Sequence, residues 1–249
     1  MDPYNPFGFL PNVRIVVLTS YLPHFRLSKS CMAAPRYNAV FVVGPSSSGK
    51  TTLCNALAKQ INVSSYITEV ARKVMREQGF SRDDVGSGGK LDMQRAIMSA
   101  QLQAEEEAQT RSTGQKSYVL SDRSAVDPIV YAGWCVEIDD REDVMAGLMN
   151  REDFLAALGR YRSSLFIVLR PVEEWIVDDG VRSMENQLQY TEELLDILKQ
   201  LQIPYKELDR SIMNLDDRVK QVCQWLSGTN NAIAKGRLSS LWNLFNWKS

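Results

Sequence analysis

The sequence predicts an α/β fold built on a parallel sheet, and two observations carry this prediction. From Ala39 onward, short apolar runs alternate with amphipathic segments, which is typical of βαβ units. A glycine-rich segment, GPSSSGKTT at 44–52, lies directly between one such run and a helical pattern. Because no Pro/Gly/Ser-rich linker divides the 249 residues, we expect one large domain rather than two small ones.

Five short segments, most of them apolar, are the predicted strands. The first, AVFVV, is continuous, as expected of a strand that is buried on both faces. The runs are AVFVV at 39–43, SYIT at 65–68, YVL at 118–120, LFIVL at 165–169 and a segment at 205–208. Apolar residues recur about one turn apart in the segments between and after them. These segments predict helices over 51–60, 92 to about 111, 187–201 and 215–226.

Three parts of the chain are distinguished by composition. Residues 1–36 predict a disordered N-terminal extension, with a mitochondrial targeting role as the alternative to a cytoplasmic protein. Residues 37–227 form the predicted domain. Residues 228–249 end in an aromatic, amphipathic tail that could dock on its own domain, on a second subunit of a homodimer or on a lipid surface.

Composition excludes several function classes. The formal net charge is -1, so the chain lacks the basic surface expected of a nucleic-acid-binding protein. It has one histidine, His24, which leaves no material for a Ser/His/Asp triad or a His-ligated metal. The four cysteines are scattered singly, which favours free thiols in a reducing compartment. We expect no transmembrane segment, since no apolar run approaches about 18 residues.

The segment at 44–52 matches the phosphate-binding pattern GxxxxGK[ST] through Gly44, Gly49, Lys50 and Thr51. Its position between a buried strand and a helix is the context that this pattern requires. Two glycines let the backbone turn so that its N–H groups and the helix N-terminus face an anion. The predicted nucleotide-binding residues are Gly44, Pro45, Ser46, Ser47, Ser48, Gly49, Lys50, Thr51 and Thr52. We expect Lys50 to reach the β- and γ-phosphates and Thr51 to ligate Mg²⁺.

Charged residues follow two of the predicted strands. Asp122 and Arg123 leave the carboxyl end of YVL, at the edge where open α/β sheets bind ligands. Asp122 is a candidate for the magnesium site or for accepting a hydroxyl proton, and Arg123 for clamping a phosphate. Glu69 and Arg72 follow the second strand, where the alternative is a plain i,i+3 ion pair.

Later segments give weaker candidates. Arg182, in the segment WIVDDGVR, is the predicted arginine for stabilising a transferring phosphoryl group, with Arg170 as a weaker choice. Gln94 and Gln101 share a helix face and could line an acceptor pocket. The cluster GSGGK at 86–90 is interpreted as a flexible connector, and the run at 105–107 as a solvated helix face.

Residues 42 to about 222 resemble the kinase domain of NadR-type nicotinamide ribonucleoside kinases and related AAA-like P-loop proteins. The resemblance rests on GPSSSGKTTL, ITEVAR, SDRSAVDPIVYA and WIVDDGVR followed by QIPYKELD, in that order. It implies a P-loop NTPase three-layer sandwich, in which a five-stranded parallel sheet has helices on both faces, with ATP or GTP as donor. It also supports Asp122, Arg123 and Arg182 as site residues. Both terminal extensions lie outside it.

Two functions follow from these features. The first is a Mg²⁺-dependent kinase that moves the γ-phosphoryl group of ATP to a small nucleoside or riboside. In it, Asp122 or Glu69 would orient the acceptor hydroxyl, and Arg123 with Arg182 would offset charge in the transition state. The second is a GTP- or ATP-binding switch with slow hydrolysis and a partner- or lipid-contacting tail. No NKxD-type guanine signature follows a strand, which leans slightly towards ATP.

Overall fold

The computed structural model describes residues 38–80, 87–111, 117–175 and 184–227. Its centre is a sheet of five parallel strands in the order β2-β3-β1-β4-β5. The strands are β1 (Ala39–Val43), β2 (Val63–Ile67), β3 (Tyr118–Asp122), β4 (Leu165–Leu169) and β5 (Tyr205–Leu208). All five predicted strands are present, and the predicted parallel α/β fold is confirmed.

Helices connect the strands and cover both faces of the sheet. They are α1 (Lys50–Gln60), α2 (Val70–Gln78), α3 (Ser87–Arg111), α4 (Asp127–Gly133), α5 (Arg141–Met149), α6 (Glu152–Arg162), α7 (Met184–Gln200) and α8 (215–227). The four predicted helices correspond to α1, α3, α7 and α8. Within the described ranges, no helix is both long and apolar enough to span a bilayer.

Alternating side chains of the central strand divide the interior into two cores. Phe41 points into the larger core, where it stacks on Phe166 with ring centroids 4.8 Å apart and meets Tyr161 edge-on. Val40 and Val42 point into the other core, which contains Leu53 and Leu57 of α1 and residues of α8. A strand that feeds two cores has to be apolar throughout, which explains the continuous run AVFVV.

Two interpretations of α3 are wrong. Ser87–Lys90 are helical rather than a connector, because α3 begins at Ser87; Gly86 lies outside the described residues. Glu105 is buried rather than solvated: its carboxylate accepts hydrogen bonds from Gln101 (3.0 Å), Arg160 (2.8 Å) and the Tyr161 hydroxyl (3.0 Å). Burial raises the pKa of Glu105 against the influence of these partners.

The strand order determines where the functional side chains meet. β1 lies between β3 and β4, so the segments that follow these three strands emerge side by side at the carboxyl edge of the sheet. Ligands of open α/β sheets bind at this edge. The glycine-rich loop after β1 is thereby flanked by Asp122 on one side and by the turn after Leu169 on the other.

Candidate active site

The loop at 44–49 has the backbone that its glycines predict. Gly44 has φ 138°, and a Cβ there would lie 2.5 Å from the carbonyl oxygen of Leu169. Gly49 has φ 86° and is the N-cap of α1. Ser47 also lies at positive φ, 61°, which is uncommon for a residue with a side chain. The helix therefore begins directly after the loop, with the N–H groups of its first turn available to an anion.

Lys50 is folded back onto the loop. Its Nζ donates to the carbonyl oxygen of Pro45 and lies 3.4 Å from the hydroxyl of Ser48, which itself donates to Pro45 over 3.0 Å. Burial, and then the neighbouring Arg123, lower the pKa of Lys50 to about 7. The ammonium is thus held where its charge is poorly compensated, an arrangement that a bound anion would relieve.

Thr51 and Asp122 meet across the central strands. The Thr51 hydroxyl donates to Asp122 Oδ2 over 2.5 Å, and the other oxygen, Oδ1, is buried without a hydrogen-bond partner among the described residues. Burial raises the pKa of Asp122, although the bond from Thr51 acts in the opposite direction. A hydroxyl and a carboxylate with a free oxygen are the donors that Mg²⁺ prefers.

These two residues fit a magnesium ion held jointly by protein and nucleotide. Among the described residues, no three His, Cys, Asp or Glu side chains are grouped so that they could hold a metal by themselves. Magnesium retains several waters and is commonly bound by one or two protein oxygens together with substrate phosphates. Thr51 and Asp122, next to a phosphate loop, match that mode.

Arg123 is the charged centre of the site. Its guanidinium contacts Glu69 (Nε to Oε1, 3.3 Å), Asp127 (NH1 to Oδ1, 2.9 Å) and the carbonyl oxygen of Gly44 (3.3 Å). It therefore links the phosphate loop to two carboxylates. The side chain is only 11% exposed, so these pairs are little screened by water.

The backbone of Arg123 has an unusual conformation, with φ 87°. Its backbone N–H donates to the carbonyl oxygen of Val42 (3.0 Å). Its carbonyl oxygen accepts from the hydroxyl of Ser121 (2.8 Å) and from the side-chain amide of Gln101 (3.5 Å). Strained backbone of this kind persists where the surroundings over-determine it. Gln101 is therefore a buried support for Arg123, and the prediction that it lines an acceptor pocket is wrong.

Glu69 forms the predicted i,i+3 ion pair with Arg72 and also contacts Arg123; its role towards an acceptor stays a prediction. One carboxylate oxygen pairs with Arg72, which is largely exposed, and the other with the buried Arg123. Burial opposes its ionisation, but Arg123 and then Arg72 lower the pKa of Glu69 below its ordinary value. Glu69 is therefore an ionised hydrogen-bond acceptor at the site.

Asp127 belongs to the site but was not singled out from the sequence. Besides Arg123, its carboxylate accepts from the backbone N–H of Ser124 (3.0 Å) and the hydroxyl of Tyr190 (2.9 Å). The available signal was the spacing in SDRSAVD, which places Asp127 one helical turn after Arg123. Tyr190 gave no signal, because it comes from a distant helix.

Aromatic rings line the same side of the site. Tyr131 lies under the guanidinium of Arg123, 6.0 Å from ring centroid to Cζ, and its ring is 4.8 Å from that of Tyr190. Trp134 is edge-on to both tyrosines and donates its indole N–H to Glu193 over 2.7 Å. Tyr131 and Trp134 are half-buried, so part of this aromatic surface is accessible.

The structure thus brings most of the predicted site residues together. Residues 44–52, Glu69, Asp122 and Arg123 lie at one edge of the sheet, with Thr51 and Thr52 exposed at its mouth. Arg170 instead forms surface ion pairs with Glu207 (2.5 Å) and Glu192 (2.8 Å), which do not support it as the arginine that stabilises a transferring phosphoryl group. Arg182, the extension at 1–36 and the tail at 228–249 lie outside the described residues, and their roles stay predictions.

Together, the sheet order, the loop and the helix that follows it define a P-loop protein with the fold of nucleoside and nucleotide kinases. The family model described as "AAA domain" matches residues 39–215, and the chain belongs to that family. Among curated proteins, none matches.

Several solved structures are similar to this chain. A structure of NadR in complex with NR is 26% identical, with a TM-score of 0.58; 78% of this chain and 52% of NadR are covered. A structure of NadR in complex with NAD and AMP-PNP is 22% identical, with a TM-score of 0.59; 77% of this chain and 50% of NadR are covered. Thymidylate kinase from Ehrlichia chaffeensis is 16% identical, with a TM-score of 0.51; 77% of this chain and 100% of the kinase are covered. The chain therefore spans about half the length of NadR.

Proposed function

We propose that this chain is a Mg²⁺-dependent phosphotransferase that moves the γ-phosphoryl group of ATP or GTP to a hydroxyl of a small nucleoside or riboside. The observation that carries the proposal is the contact between the phosphate loop and a second charged cluster. Arg123 joins the carbonyl of Gly44 to Glu69 and Asp127. A loop that only held a nucleotide and its metal would not need Glu69 and the buried Asp127 beside it, whereas a phosphotransferase needs groups for its acceptor.

On the donor side, the residues from Gly44 to Thr52 would bind the polyphosphate through backbone N–H groups. Lys50, which donates to the carbonyl oxygen of Pro45, would exchange that carbonyl for the β- and γ-phosphate oxygens. The exchange is favourable because it provides a full negative charge for a buried ammonium whose pKa is lowered to about 7.

Thr51 and Asp122 would hold Mg²⁺, which supplies neutralisation of charge on the β- and γ-phosphates. The free Oδ1 of Asp122 provides the coordinating oxygen, and the Thr51 hydroxyl is already within 2.5 Å of the same carboxylate. This contact favours the metal role for Asp122 over the role of accepting the hydroxyl proton.

On the acceptor side, Glu69 would accept a hydrogen bond from the attacking hydroxyl, since its carboxylate is ionised. In the transfer, the acceptor oxygen bonds to the γ-phosphorus and the bond from that phosphorus to the β–γ bridging oxygen breaks. The hydroxyl proton passes to the carboxylate. Arg123, and Arg182 if it closes over the site, would stabilise the charge on the transferring group.

The half-buried rings of Tyr131 and Trp134 suit the planar base of an acceptor whose hydroxyl lies next to these charges. The NadR structures support this choice of acceptor and donor, because their bound molecules are NR in one case and NAD with AMP-PNP in the other. Since this chain spans only half of NadR, its acceptor has to be determined directly.

The test is nucleotide consumption with Mg²⁺ across a panel of nucleosides and ribosides that includes nicotinamide riboside. Two variants accompany the wild type: K50A removes the phosphate-binding ammonium, and K59A removes an exposed lysine from the other end of the same helix. We expect acceptor-dependent ADP release that K50A abolishes and K59A retains. Turnover that no acceptor accelerates would overturn the proposal and favour the nucleotide switch.

A further inference from the structure

Trp175 opens the segment WIVDDGVR, yet the proposed function gives it no role. It ends a short 3₁₀ turn (Glu173–Trp175) that follows β4. Its backbone N–H donates to the carbonyl oxygen of Val172 over 3.0 Å. Its six-membered ring lies against Gly49: a Cβ on that glycine would be 3.3 Å from Cζ3. A large aromatic ring is therefore packed against the N-cap of α1, where the phosphates of a nucleotide would bind.

Arg218 fixes the position of this ring. The guanidinium carbon is 4.7 Å from the ring centroid of Trp175, and the residue is only 2% exposed. Its Nε donates to Ile212 (2.5 Å) and its NH2 to Asp209 (3.1 Å), both through carbonyl oxygens of the loop after β5. The arginine therefore joins the indole to that loop, and it pairs with no carboxylate within the part of the chain that the structure describes.

The indole is supported by these contacts but not fully covered. Trp175 is half-buried, whereas the aromatic residues that belong to the cores, such as Phe41, Phe154 and Phe166, are at most 1% exposed. An aromatic ring that is supported on one side and partly open on another can stack a nucleobase. Its place next to Gly49 puts it within reach of a nucleoside whose phosphates occupy the loop.

We infer that Trp175, supported by Arg218, is the platform on which the purine of the donor nucleotide stacks. The inference rests on the proposed function only in that the loop binds a nucleoside triphosphate. Stacking reads the flat face of a base and not its hydrogen-bonding edge, so it is tolerant of base identity. The donor site therefore accepts both ATP and GTP.

Binding to the full chain tests the platform without any acceptor. Calorimetry with Mg²⁺ would compare ATP, GTP and inorganic tripolyphosphate, which lacks a base, on the wild type, W175L and W175F. W225L is the matched control, since Trp225 is also half-buried but lies on α8. We expect W175L to weaken both nucleotides about tenfold or more while tripolyphosphate binding is unchanged, because stacking on one base is worth about that factor. W175F should restore most of the affinity.

Tryptophan fluorescence gives a second readout on the folded wild-type protein. ATP should quench an emission component that W175F lacks, and tripolyphosphate should not. Three results would overturn the platform: equal wild-type affinity for ATP and tripolyphosphate, a W175L variant that loses both ligands alike, or a tenfold or greater preference for one purine. If ATP binds with these signatures but no acceptor accelerates turnover, the platform stands and the phosphotransferase proposal fails.

Discussion

The pair formed by Arg123 and Asp127 provides a quantitative test of how the site is held together. Asp127 is 2% exposed and pairs with Arg123 at 2.9 Å. R123M removes the charge but keeps a long side chain at the same strained φ, so the backbone cost is unchanged. It leaves a buried carboxylate with only neutral donors, from Ser124 and Tyr190. Removing one partner of a buried pair costs about 3–5 kcal/mol.

The reverse variant, D127N, should cost less. Arg123 would keep its contacts with Glu69 and the carbonyl of Gly44. The introduced amide accepts through one oxygen only, so the loss is that of one charged hydrogen bond and of the bond from the Ser124 N–H, about 2–3 kcal/mol. The double variant has neither an unpaired carboxylate nor an unpaired cation from this bond. It should therefore be more stable than the sum of the two losses predicts, by at least about 1.5 kcal/mol.

Urea unfolding of the four proteins, at neutral pH and without nucleotide, measures this coupling directly. D196N on the exposed side of α7 is a matched control, because its carboxylate pairs with Lys199 at the surface and such pairs contribute about 0–1 kcal/mol. Additive losses for R123M and D127N, within about 0.5 kcal/mol, would refute the view that a desolvated ion pair organises the site.

Three further outcomes are expected. D122N should weaken the Mg²⁺-dependent part of ATP affinity by at least about tenfold, with little change when calorimetry is repeated in chelator. G44A should destabilise the fold by about 2–4 kcal/mol in urea, because its Cβ meets a strand carbonyl at 2.5 Å, whereas G79A, at φ 70° with open space, should cost about 1 kcal/mol. Burial raises the pKa of Glu105, so the stability that this carboxyl group contributes is complete below about pH 4.5 and is lost as the pH rises through the folded-state pKa. The free energy of unfolding of E105Q should therefore rise relative to that of the wild type between pH 4 and pH 7. A difference between the two proteins that does not change with pH would contradict this.

What the sequence predicted well was local. The central strands β1, β3 and β4 were predicted from short apolar runs. The phosphate loop was predicted because its glycines, lysine and threonine follow a strand and precede a helix. Positive φ at Gly44 and Gly49 is what the loop's geometry requires of those positions.

What the sequence did not predict depends on contacts between distant segments. Glu105 lies in a run of three glutamates, which favours a solvated face, and its burial depends on contacts with Arg160 and Tyr161 of the distant helix α6. Likewise, nothing near Arg170 indicates that Glu192 and Glu207 would pair with it at the surface. Ion pairs of this kind become visible only when the helices and strands are in place.

The shape of the phosphate loop has a consequence for the order of events during synthesis. Gly44 packs on the backbone of Leu169, and Gly49 on Trp175, which Arg218 fixes in turn. A nascent chain that has released only β1 and α1 carries all nine residues of the motif but none of the surfaces that shape it. Competence to bind nucleotide should therefore arise late, when the last strand and helix have left the ribosome, so a bound nucleotide would mark a domain that is complete.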